Sequence, residues 1–537
     1  MKIIKIFCLF LISGCILSCK KNVLDKQPLG EINADLVWKD IKMTTLYLDG
    51  IYLGLFGGIE RNLDCATETA DDGPDWHPVQ RWNTGDVGAF NNQMEEWFSQ
   101  WGNDYKQIRS ATLILENYKT IPADQTAIDR LKGQAFFLRA FFYADLVNFY
   151  GGVPIIKKTQ QMGDDLNPAR NSYDECINFI VSDLDSASEL LPLSWDGGAV
   201  GRATKGTALA LKSRMLLYAA SPLHNPSNDR VKWQAAADAA KAVIDLGSYQ
   251  LYPDYYELFH VDNNEEVIFD IQYAYPVRMQ NTELKQNPQG MAGAWGELRP
   301  TEDFVSSYEM KNGKKITDPT SGYSLQDPYA DRDPRFYQTV LYNGAPWRGV
   351  LVETFDDGFS GPGINDVYNT AISMTGYYTR KFIHQNNINS QTVNKTNENW
   401  ILIRYAEVLL NYAEAQLNLG NEGEAKIYMD QVRARAGMPA IPASETGSVL
   451  MAHYQNERKI ELAFEEIYFF DVRRWKTAPA LLSVPVHKMH IVKNANGSFT
   501  YDVQEMEDRA WRNAFYYYPI PGDEINKNKN LTQNPDY

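Results

Sequence analysis

Apolar residues recur at steps of three and four along most of the first half of the chain. In the segment 94–118, Trp97, Trp101, Tyr105 and Ile108 follow this spacing. A period near 3.6 residues places such positions on one face of a helix, so the pattern predicts amphipathic α-helices. Proline or glycine follows several segments and marks where each helix ends. The predicted helices of this half cover residues 34–56, 94–118, 128–150, 173–191, 204–220 and 233–246.

The middle of the chain has a different pattern. Residues 266–275 alternate weakly between apolar and polar positions, which predicts a strand, and residues 276–400 are rich in glycine, proline, asparagine and aspartate. So long a stretch without helical periodicity is usually functional in a compact protein. Helical patterns return over 401–419, 422–436 and 449–475, and the tail from 478 is predicted to be irregular.

The helices are predicted to form antiparallel pairs. Ala413 and Ala425 lie twelve residues apart on either side of a turn at Gly420-Asn421, which is the small-residue spacing of a tetratricopeptide hairpin. The same layout recurs in 92–150, in 173–191 with 203–220, and in 401–436, although alanine is common in any helix. The predicted fold is therefore mainly α: a superhelix of tetratricopeptide-like helical pairs with 276–400 as a long loop-rich insertion.

The first residues have the pattern of a bacterial lipoprotein signal. Lys2 and Lys5 precede an apolar run over 6–12 that is too short to span a bilayer as a helix. Residues 16–19 then match a lipobox, in which a small residue precedes the cysteine that receives the lipid. We predict a signal peptide over 1–18 and a lipid anchor on Cys19; the alternative is a plain secretory signal with an incidental cysteine. No linker-like segment divides residues 19–537, which predicts a single body.

Composition limits the partners of the protein. The 537 residues include 52 Lys and Arg against 68 Asp and Glu, a formal net charge of −16, which repels nucleic acid and anionic membrane surfaces. The lipid rather than a basic patch would hold such a chain at a membrane. After the anchor only Cys65 and Cys176 remain, so a disulfide framework is excluded, and the two thiols either pair with each other or are buried.

Catalytic signatures are missing from the sequence. It contains no glycine-rich phosphate loop, no His-Glu-x-x-His and no Gly-x-Ser-x-Gly. His487 and His490 are three residues apart, but they are interpreted as surface histidines of an irregular segment. Asp356-Asp357-Gly358 could help to bind calcium, although the spacing does not match a calcium loop. Adjacent acidic pairs are interpreted as solvated faces rather than as a hydrolytic pair. The sequence thus predicts a protein that is not an enzyme and has no cofactor, with calcium left open.

Tryptophan is concentrated in one polar segment near the N-terminus. Trp76, Trp82, Trp97 and Trp101 are interleaved there with aspartate, asparagine and arginine, and glycine and proline make 71–92 a predicted loop. A tryptophan in a loop either fills part of the core or offers a flat face to a ligand. A sugar suits such a loop because its C–H face stacks on indole, while Asp, Asn and Arg bond its hydroxyl groups. Trp101 is assigned to helix packing.

Nine short motifs, in their order along the chain, resemble the SusD/RagB family. The resemblance covers almost all of the chain after the anchor, with motifs at residues 131–140, 150–154, 201–206, 220–223, 332–336, 404–410, 457–475, 518–521 and 534–535. It implies an N-terminal part over about 19–230 and a C-terminal part over about 260–537. Arginines within the motifs are interpreted as partners of buried acids that lock helices together: Arg139, Arg404 and Arg458 with acids such as Asp145, Glu414 and Glu461.

The resemblance also implies a ligand site. Carried over by position, the ligand-binding residues are an acid and an arginine of the tryptophan-rich loop, an aromatic at the start of the next helix and an aromatic from the insertion: Asp72, Arg81, Trp97 and Trp295, with Trp76 and Trp82 as further candidates. For each tryptophan the alternative is burial in the core. At least two of Trp76, Trp82, Trp97 and Trp295 are expected to face solvent.

The family implies a function for that site. The protein is expected to be a lipoprotein on the outer face of the outer membrane that binds oligosaccharide or polysaccharide and delivers it to a SusC-like TonB-dependent transporter. The main alternative is a peptide-binding import partner on the same scaffold, and a glycoside hydrolase is less favoured. Exposed aromatics flanked by amides and acids favour sugar, whereas a groove with free strand edges would favour peptide.

Overall fold

The computed structural model describes residues 34–57, 61–72, 78–90, 100–274, 277–288, 291, 294–361, 374–386 and 397–537. The signal segment, the predicted anchor Cys19, and the candidate residues Trp76 and Trp97 lie outside these ranges. All statements about structure below concern the described ranges.

Helices dominate the first half, as predicted. The predicted helix 34–56 is divided at Asp40, whose side chain accepts a hydrogen bond from the backbone of Lys42 at 2.7 Å and so begins the second helix. The elements are α1 (Ala34–Val37), α2 (Ile41–Tyr52), β1 (Ala70–Asp71), α3 (Pro78–Asn83), α4 (Trp101–Asn117), α5 (Gln125–Tyr150), α6 (Tyr173–Leu190), α7 (Lys205–Ala220) and α8 (Arg230–Asp245).

Local chemistry explains where these helices begin and end. Ser172 and Glu175 form a reciprocal capping box at the start of α6. Gly151 ends α5 with a φ of 73°, a conformation that a residue with a side chain rarely adopts. Gly133 lets α5 approach the end of α6, because a Cβ added there would lie 2.9 Å from Leu191.

The insertion is built from short strands and single helical turns. The strand β2, which precedes the insertion, pairs with β8 at its end in antiparallel register, with Val267 opposite Arg404. The predicted helix 401–419 is therefore wrong over its first residues, which form a strand because they pair with β2. The elements are β2 (Val267–Ile271), α9 (Thr282–Gln286), β3 (Arg299–Pro300), α10 (Glu302–Val305), α11 (Pro334–Thr339), β4 (Val340–Leu341), β5 (Pro346–Trp347), β6 (Val350–Leu351), β7 (Tyr378–Thr379) and β8 (Trp400–Arg404).

The last third returns to helices and then adds a hairpin. The predicted helix 449–475 is two helices, and the tail that was predicted to be irregular contains an antiparallel hairpin of β9 and β10, in which Val492 faces Thr500. The elements are α12 (Tyr405–Asn418), α13 (Glu422–Arg435), α14 (Gly447–Glu461), α15 (Tyr468–Arg474), α16 (Ala478–Leu481), β9 (Val486–Lys493), β10 (Phe499–Glu507) and α17 (Gly522–Lys527).

Each long helix packs on the next one along the chain. This order runs from α4 through α8, and after the insertion α12 packs on α8 and α13 on α12, so the second group of helices continues the first. Ala413 and Ala425 are both fully buried at the contact between α12 and α13, as their spacing predicts. The prediction of a mainly helical, tetratricopeptide-like fold is confirmed.

A buried network of ion pairs joins the insertion to the helical stack. Arg404 is 1% exposed and donates to the carboxylates of three acids, at 2.7 Å to Glu266, 2.6 Å to Glu461 and 2.7 Å to Glu465. Arg335 reaches the same network from α11 and donates to Glu461 at 3.0 Å. Arg404 therefore pairs with buried acids as predicted, Glu461 among them, and these residues bind one another rather than a ligand.

The other motif arginines also bind buried acids, but the partners differ from those predicted. Each acid comes from a helix that packs beside the arginine, and the distance between two residues in the sequence does not show which helices pack together. Arg139 pairs with Asp183, Asp145 with Arg61, Arg458 with Asp471 and Glu414 with Arg474.

Two further predictions concern cysteines and membrane spans. Cys65 and Cys176 are free and buried, so the second of the two alternatives for them holds. No helix in the described part of the chain combines the length and apolar character that crossing a bilayer requires.

Candidate functional site

A short ladder brings the tryptophan-rich loop and the insertion together. Strands β1 and β3 pair in antiparallel register, with Asp71 opposite Arg299. Thr301 extends this contact, since its backbone N–H donates to the carbonyl of Thr69 at 3.0 Å. Because the strands are antiparallel, the chain leaves β1 toward Asp72 at the same end where the segment after Trp295 enters β3.

The two aspartates at this end are buried. Asp71 and Asp72 are 2% and 1% exposed, and the side-chain amide of Gln80 donates to Asp71 at 3.2 Å and to Asp72 at 3.0 Å. Arg509 lies on the other side of Asp71, at 3.7 Å from its carboxylate. The predicted ligand residue Asp72 therefore lies below the surface, where its visible role is to hold α3 through Gln80.

A cavity of about 230 Å³ opens beside these aspartates. The lining includes the part-exposed Arg81 of α3 and residues from the end of β10. It combines hydrogen-bonding groups with the flexible, apolar side chains of two methionines. The residues that line the cavity are Asp71, Gln80, Arg81, Thr84, Met374, Met506 and Glu507.

Glu507 gives the cavity an unusual charge state. The pKa of this carboxyl is raised to about 8, chiefly by burial and also by the neighbouring Asp71, against the opposing effect of Arg509. Below that pH the carboxyl is protonated, so it can donate one hydrogen bond and accept another. The cavity thus offers a cation, an amide and a neutral acid, a set that suits the hydroxyl groups of a polyol.

The raised pKa of Glu507 makes stability depend on pH. Because the folded-state pKa of about 8 exceeds the ordinary value of about 4.5 for a glutamate, this group contributes stability that is full below about pH 4.5 and is lost as pH rises through 8. We expect Glu507→Gln to reduce the loss of unfolding free energy between pH 5 and pH 9 by about 1–3 kcal/mol. Urea unfolding followed by circular dichroism measures this loss. The exposed Glu505 on the same strand is the control: an equal reduction in Glu505→Gln contradicts the assignment.

Trp82 is part of the core, which corrects its prediction as a ligand contact. Its ring is 3% exposed and stacks on Phe515 with centroids 4.5 Å apart, and Tyr518 lies at 5.7 Å on a nearly parallel plane. The guanidinium of Arg473 lies 5.2 Å from the ring. No face of Trp82 is left for a sugar, because aromatic residues of the C-terminal region cover it.

Trp295 has the exposure that a stacking residue needs. Its side chain is 47% exposed, while its backbone N–H donates to the carbonyl of Leu284 at 2.9 Å and fixes the segment. Of the four tryptophans predicted as candidates, Trp295 faces solvent, Trp82 does not, and Trp76 and Trp97 lie outside the described residues. The assignment of Trp295 and Arg81 to a ligand stays a prediction.

Sequence reasoning missed the contribution of the C-terminal hairpin. Met506 and Glu507 line the cavity from β10, and Met374 lines it from the insertion. The alternation of residues 499–507 could have predicted the strand. Its position beside Arg81, however, depends on contacts such as that of Arg509 with the carbonyl of Cys65 at 2.9 Å, which join residues 444 positions apart.

The two histidines considered for a metal lie on strand β9. Residues three apart on a strand point to opposite faces, so His487 and His490 are not placed to share an ion. Each contacts its own carboxylate, His487 with Asp303 at 2.8 Å and His490 with Asp356 at 2.9 Å. Within the described ranges no three His, Cys, Asp or Glu side chains converge to hold a metal. Calcium binding at 356–358 stays a prediction.

Comparisons with known proteins agree on one family. A sequence model of the SusD family matches residues 265–537, and one described as starch-binding associating with outer membrane matches residues 61–217. SusD-like protein P2 from Formosa agariphila is 25% identical over 461 residues, which cover 81% of this chain and 80% of that protein.

Solved structures extend the likeness to the fold. The crystal structure of a SusD-like protein from Bacteroides fragilis is 28% identical, with a TM-score of 0.81 over 95% of this chain and 100% of that one. A SusD-like carbohydrate-binding protein from the same species is 25% identical, with a TM-score of 0.79 over 92% and 99%. Since the first family model spans more than half of the sequence, the chain belongs to the SusD family.

Proposed function

We propose that the protein binds glycans at the outer face of the outer membrane and delivers them to a SusC-like TonB-dependent transporter. Two descriptions among the matches support the first part: the family model over 61–217 is named as starch-binding, and one of the similar solved structures is named as carbohydrate-binding. The transporter is the partner that membership of the SusD/RagB family implies. The outer membrane is named in the description of the family model that matches residues 61–217.

The observation that carries the proposal is the β1–β3 ladder, which pairs Asp71 in the lining of the Arg81 cavity with Arg299, four residues after Trp295. The cavity is polar and contains the protonated Glu507, and the segment before β3 exposes the indole of Trp295. A sugar has both an apolar C–H face and a rim of hydroxyl groups, so a site for it needs stacking and directional hydrogen bonds side by side.

The affinity of the protein for its glycan is expected to be modest, because the protein has to deliver the glycan to a transporter. A protein that passes its ligand to a channel must release it, and an open site beside a small cavity permits release. We expect dissociation constants on the order of micromolar to millimolar, or about −4 to −8 kcal/mol.

We further propose that the protein is not an enzyme. A carboxyl with a raised pKa beside a second carboxyl is also found in glycosidases, where the pair must flank the bond to be broken. Here Asp71 is buried and Glu507 shares the Arg509 guanidinium with it, each at 3.7 Å from the same nitrogen. Two carboxyl groups that contact one guanidinium lie on the same side of the cavity, an arrangement that suits binding better than attack from two sides.

The test is a glycan array on the protein, followed by calorimetry with each glycan that binds. Binding of a defined class of oligosaccharide supports the proposal. Binding of none, together with binding of peptides from a matched peptide array, would favour the alternative of a peptide-binding import partner. Incubation of each bound glycan with the protein tests catalysis: new reducing ends that disappear in Glu507→Gln would show a hydrolase.

The lipid anchor gives a separate prediction. Cys19→Ala should move the protein from the membrane fraction to the soluble fraction, because a chain with a net charge of −16 is repelled by an anionic membrane surface and anchoring needs acyl chains. Detergent-free fractionation with immunodetection measures this. Cys65→Ala is the matched control, since that thiol is buried in the fold. A Cys19→Ala protein that stays with the membrane would refute the lipobox.

A further inference from the structure

A second, larger groove lies away from the cavity at Arg81. It has a volume of about 810 Å³ and is walled by three elements: helix α4, the loop over residues 154–168, and the C-terminal segment over 524–531 that includes the end of α17. This volume falls in the range of sites that hold small ligands. The three walls come from distant parts of the sequence, so the groove is a product of the fold.

Hydrogen bonds between the walls hold the groove open. The side-chain amide of Asn528 donates to the carbonyl of Pro168 at 2.8 Å, and that of Asn530 donates to the carbonyl of Asn167 at 2.6 Å. On the other side, Arg109 of α4 donates to the carbonyl of Gln160 at 3.1 Å. A groove fixed in this way loses little conformational entropy when a ligand enters it.

The floor of the groove is apolar. Trp101, Ile108 and Leu531 are 5%, 1% and 7% exposed and belong to the main core, and Leu166 at the rim is 58% exposed. Such a floor favours a ligand that has an apolar face.

The rim of the groove is basic, although the chain as a whole is acidic. Lys106 and Arg109 come from α4, Lys158 from the loop and Lys527 from α17, while Glu524 is the one acidic residue of the lining. Glu524 pairs with Lys527 at 2.7 Å, so the groove keeps a surplus of three positive charges. In a protein with a net charge of −16, this local surplus selects for an anionic ligand by charge complementarity.

We propose that this groove binds an anionic oligosaccharide, one that carries carboxylate or sulfate groups. The apolar floor matches the C–H faces of sugar rings. The cations on all three walls match negative groups that are spaced along the oligosaccharide. The inference rests on the proposed function, because it takes the ligand to be a glycan. A peptide added as a β-strand is not favoured, since the walls contain no strand in the described residues.

The experiment compares three hexasaccharides by calorimetry on the full chain in detergent: a galacturonic acid hexamer, a sulfated galactose hexamer and neutral maltohexaose. The groove variant is Lys106→Gln with Lys158→Gln, because neither lysine forms the wall-to-wall hydrogen bonds. The control variant is Lys311→Gln with Lys315→Gln, which removes the same charge from exposed positions outside the lining. We expect the groove variant to weaken binding of an anionic hexamer about tenfold or more, and the control to bind like the parent.

Each outcome decides the matter. Weakening in the groove variant alone supports the inference, and the hexamer that shows it names the anionic group as carboxylate or sulfate. Equal affinity in both variants, equal weakening in both, or no binding of either anionic hexamer to the parent overturns it. The proposed function is judged separately by Trp295→Ala: if that variant loses glycan binding while the groove variant keeps it, the groove inference fails and the proposed function stands.

Discussion

Replacing Arg404 with methionine is expected to destabilise the folded protein by about 3–5 kcal/mol. The guanidinium is fully buried and its hydrogen bonds satisfy carboxylates of Glu266, Glu461 and Glu465. Methionine fills a similar volume but donates no hydrogen bond, so the acids would remain buried without one of their cations. Removing one partner of a buried pair costs far more than the pair itself contributes, because an uncompensated charge is left.

The pKa of Glu461 shows how strongly the network is compensated. Burial alone would raise it, yet Arg435, Arg404 and Arg335 together hold it well below its ordinary value. Guanidinium chloride unfolding followed by circular dichroism measures the predicted loss. Arg130→Met, at an exposed position, should change stability by less than about 0.5 kcal/mol. If Arg404→Met does not fold at all, Glu461→Gln provides the milder test. A loss below about 1 kcal/mol in both variants would contradict the network's role.

Trp295→Ala is expected to weaken glycan binding roughly tenfold while leaving the fold intact. The side chain is nearly half exposed, so truncation removes a stacking face without opening a core cavity, and the apolar area that a sugar would cover corresponds to about 1–2 kcal/mol. Arg81→Ala removes a charge-assisted hydrogen bond of similar size, about 1.5–3 kcal/mol. Calorimetry with the cognate oligosaccharide measures both effects.

Two other tryptophans serve as controls for this experiment. Trp38→Ala removes a half-buried indole that lies between α1 and α2 in the chain. This variant should bind glycan like the parent. Trp82→Ala should instead lower the melting temperature strongly, because its ring stacks inside the core on Phe515. Unchanged binding in both Trp295→Ala and Arg81→Ala would show that the ligand lies elsewhere on the molecule.

The helical scaffold could be predicted because its signal is local. Each long helix has an apolar face at the helical period, and Ala413 and Ala425 mark a close contact between neighbours in sequence. The prediction of a helix fails at residues 401–404, because Ile401, Leu402 and Ile403 form a short apolar run, in which periodicity does not separate strand from helix. Its pairing with β2 is decided by residues more than a hundred positions earlier.

The candidate site was harder to predict for the same physical reason. The sequence does not show whether a tryptophan in a predicted loop is buried in the core or exposed to a ligand. Trp82 is buried because Phe515 and Tyr518, from the far end of the chain, stack on its ring. Glu507 owes its raised pKa to burial and to Asp71, neither of which its own neighbours in sequence reveal. Arg81 was identified through resemblance to the family, and the cavity around it through the fold.

The buried network also bears on the order in which the chain can mature. Arg404 takes one carboxylate partner from 138 residues earlier and two from 57 and 61 residues later. The early helices meet neighbours that are close in sequence and can pair as the chain is synthesised. The insertion has to wait, since Arg404 lacks two of its three acidic partners until residue 465 has been made. A prematurely terminated chain would therefore leave Arg404 without two of its three acidic partners, and such a chain is expected to be less stable and more open to proteolysis.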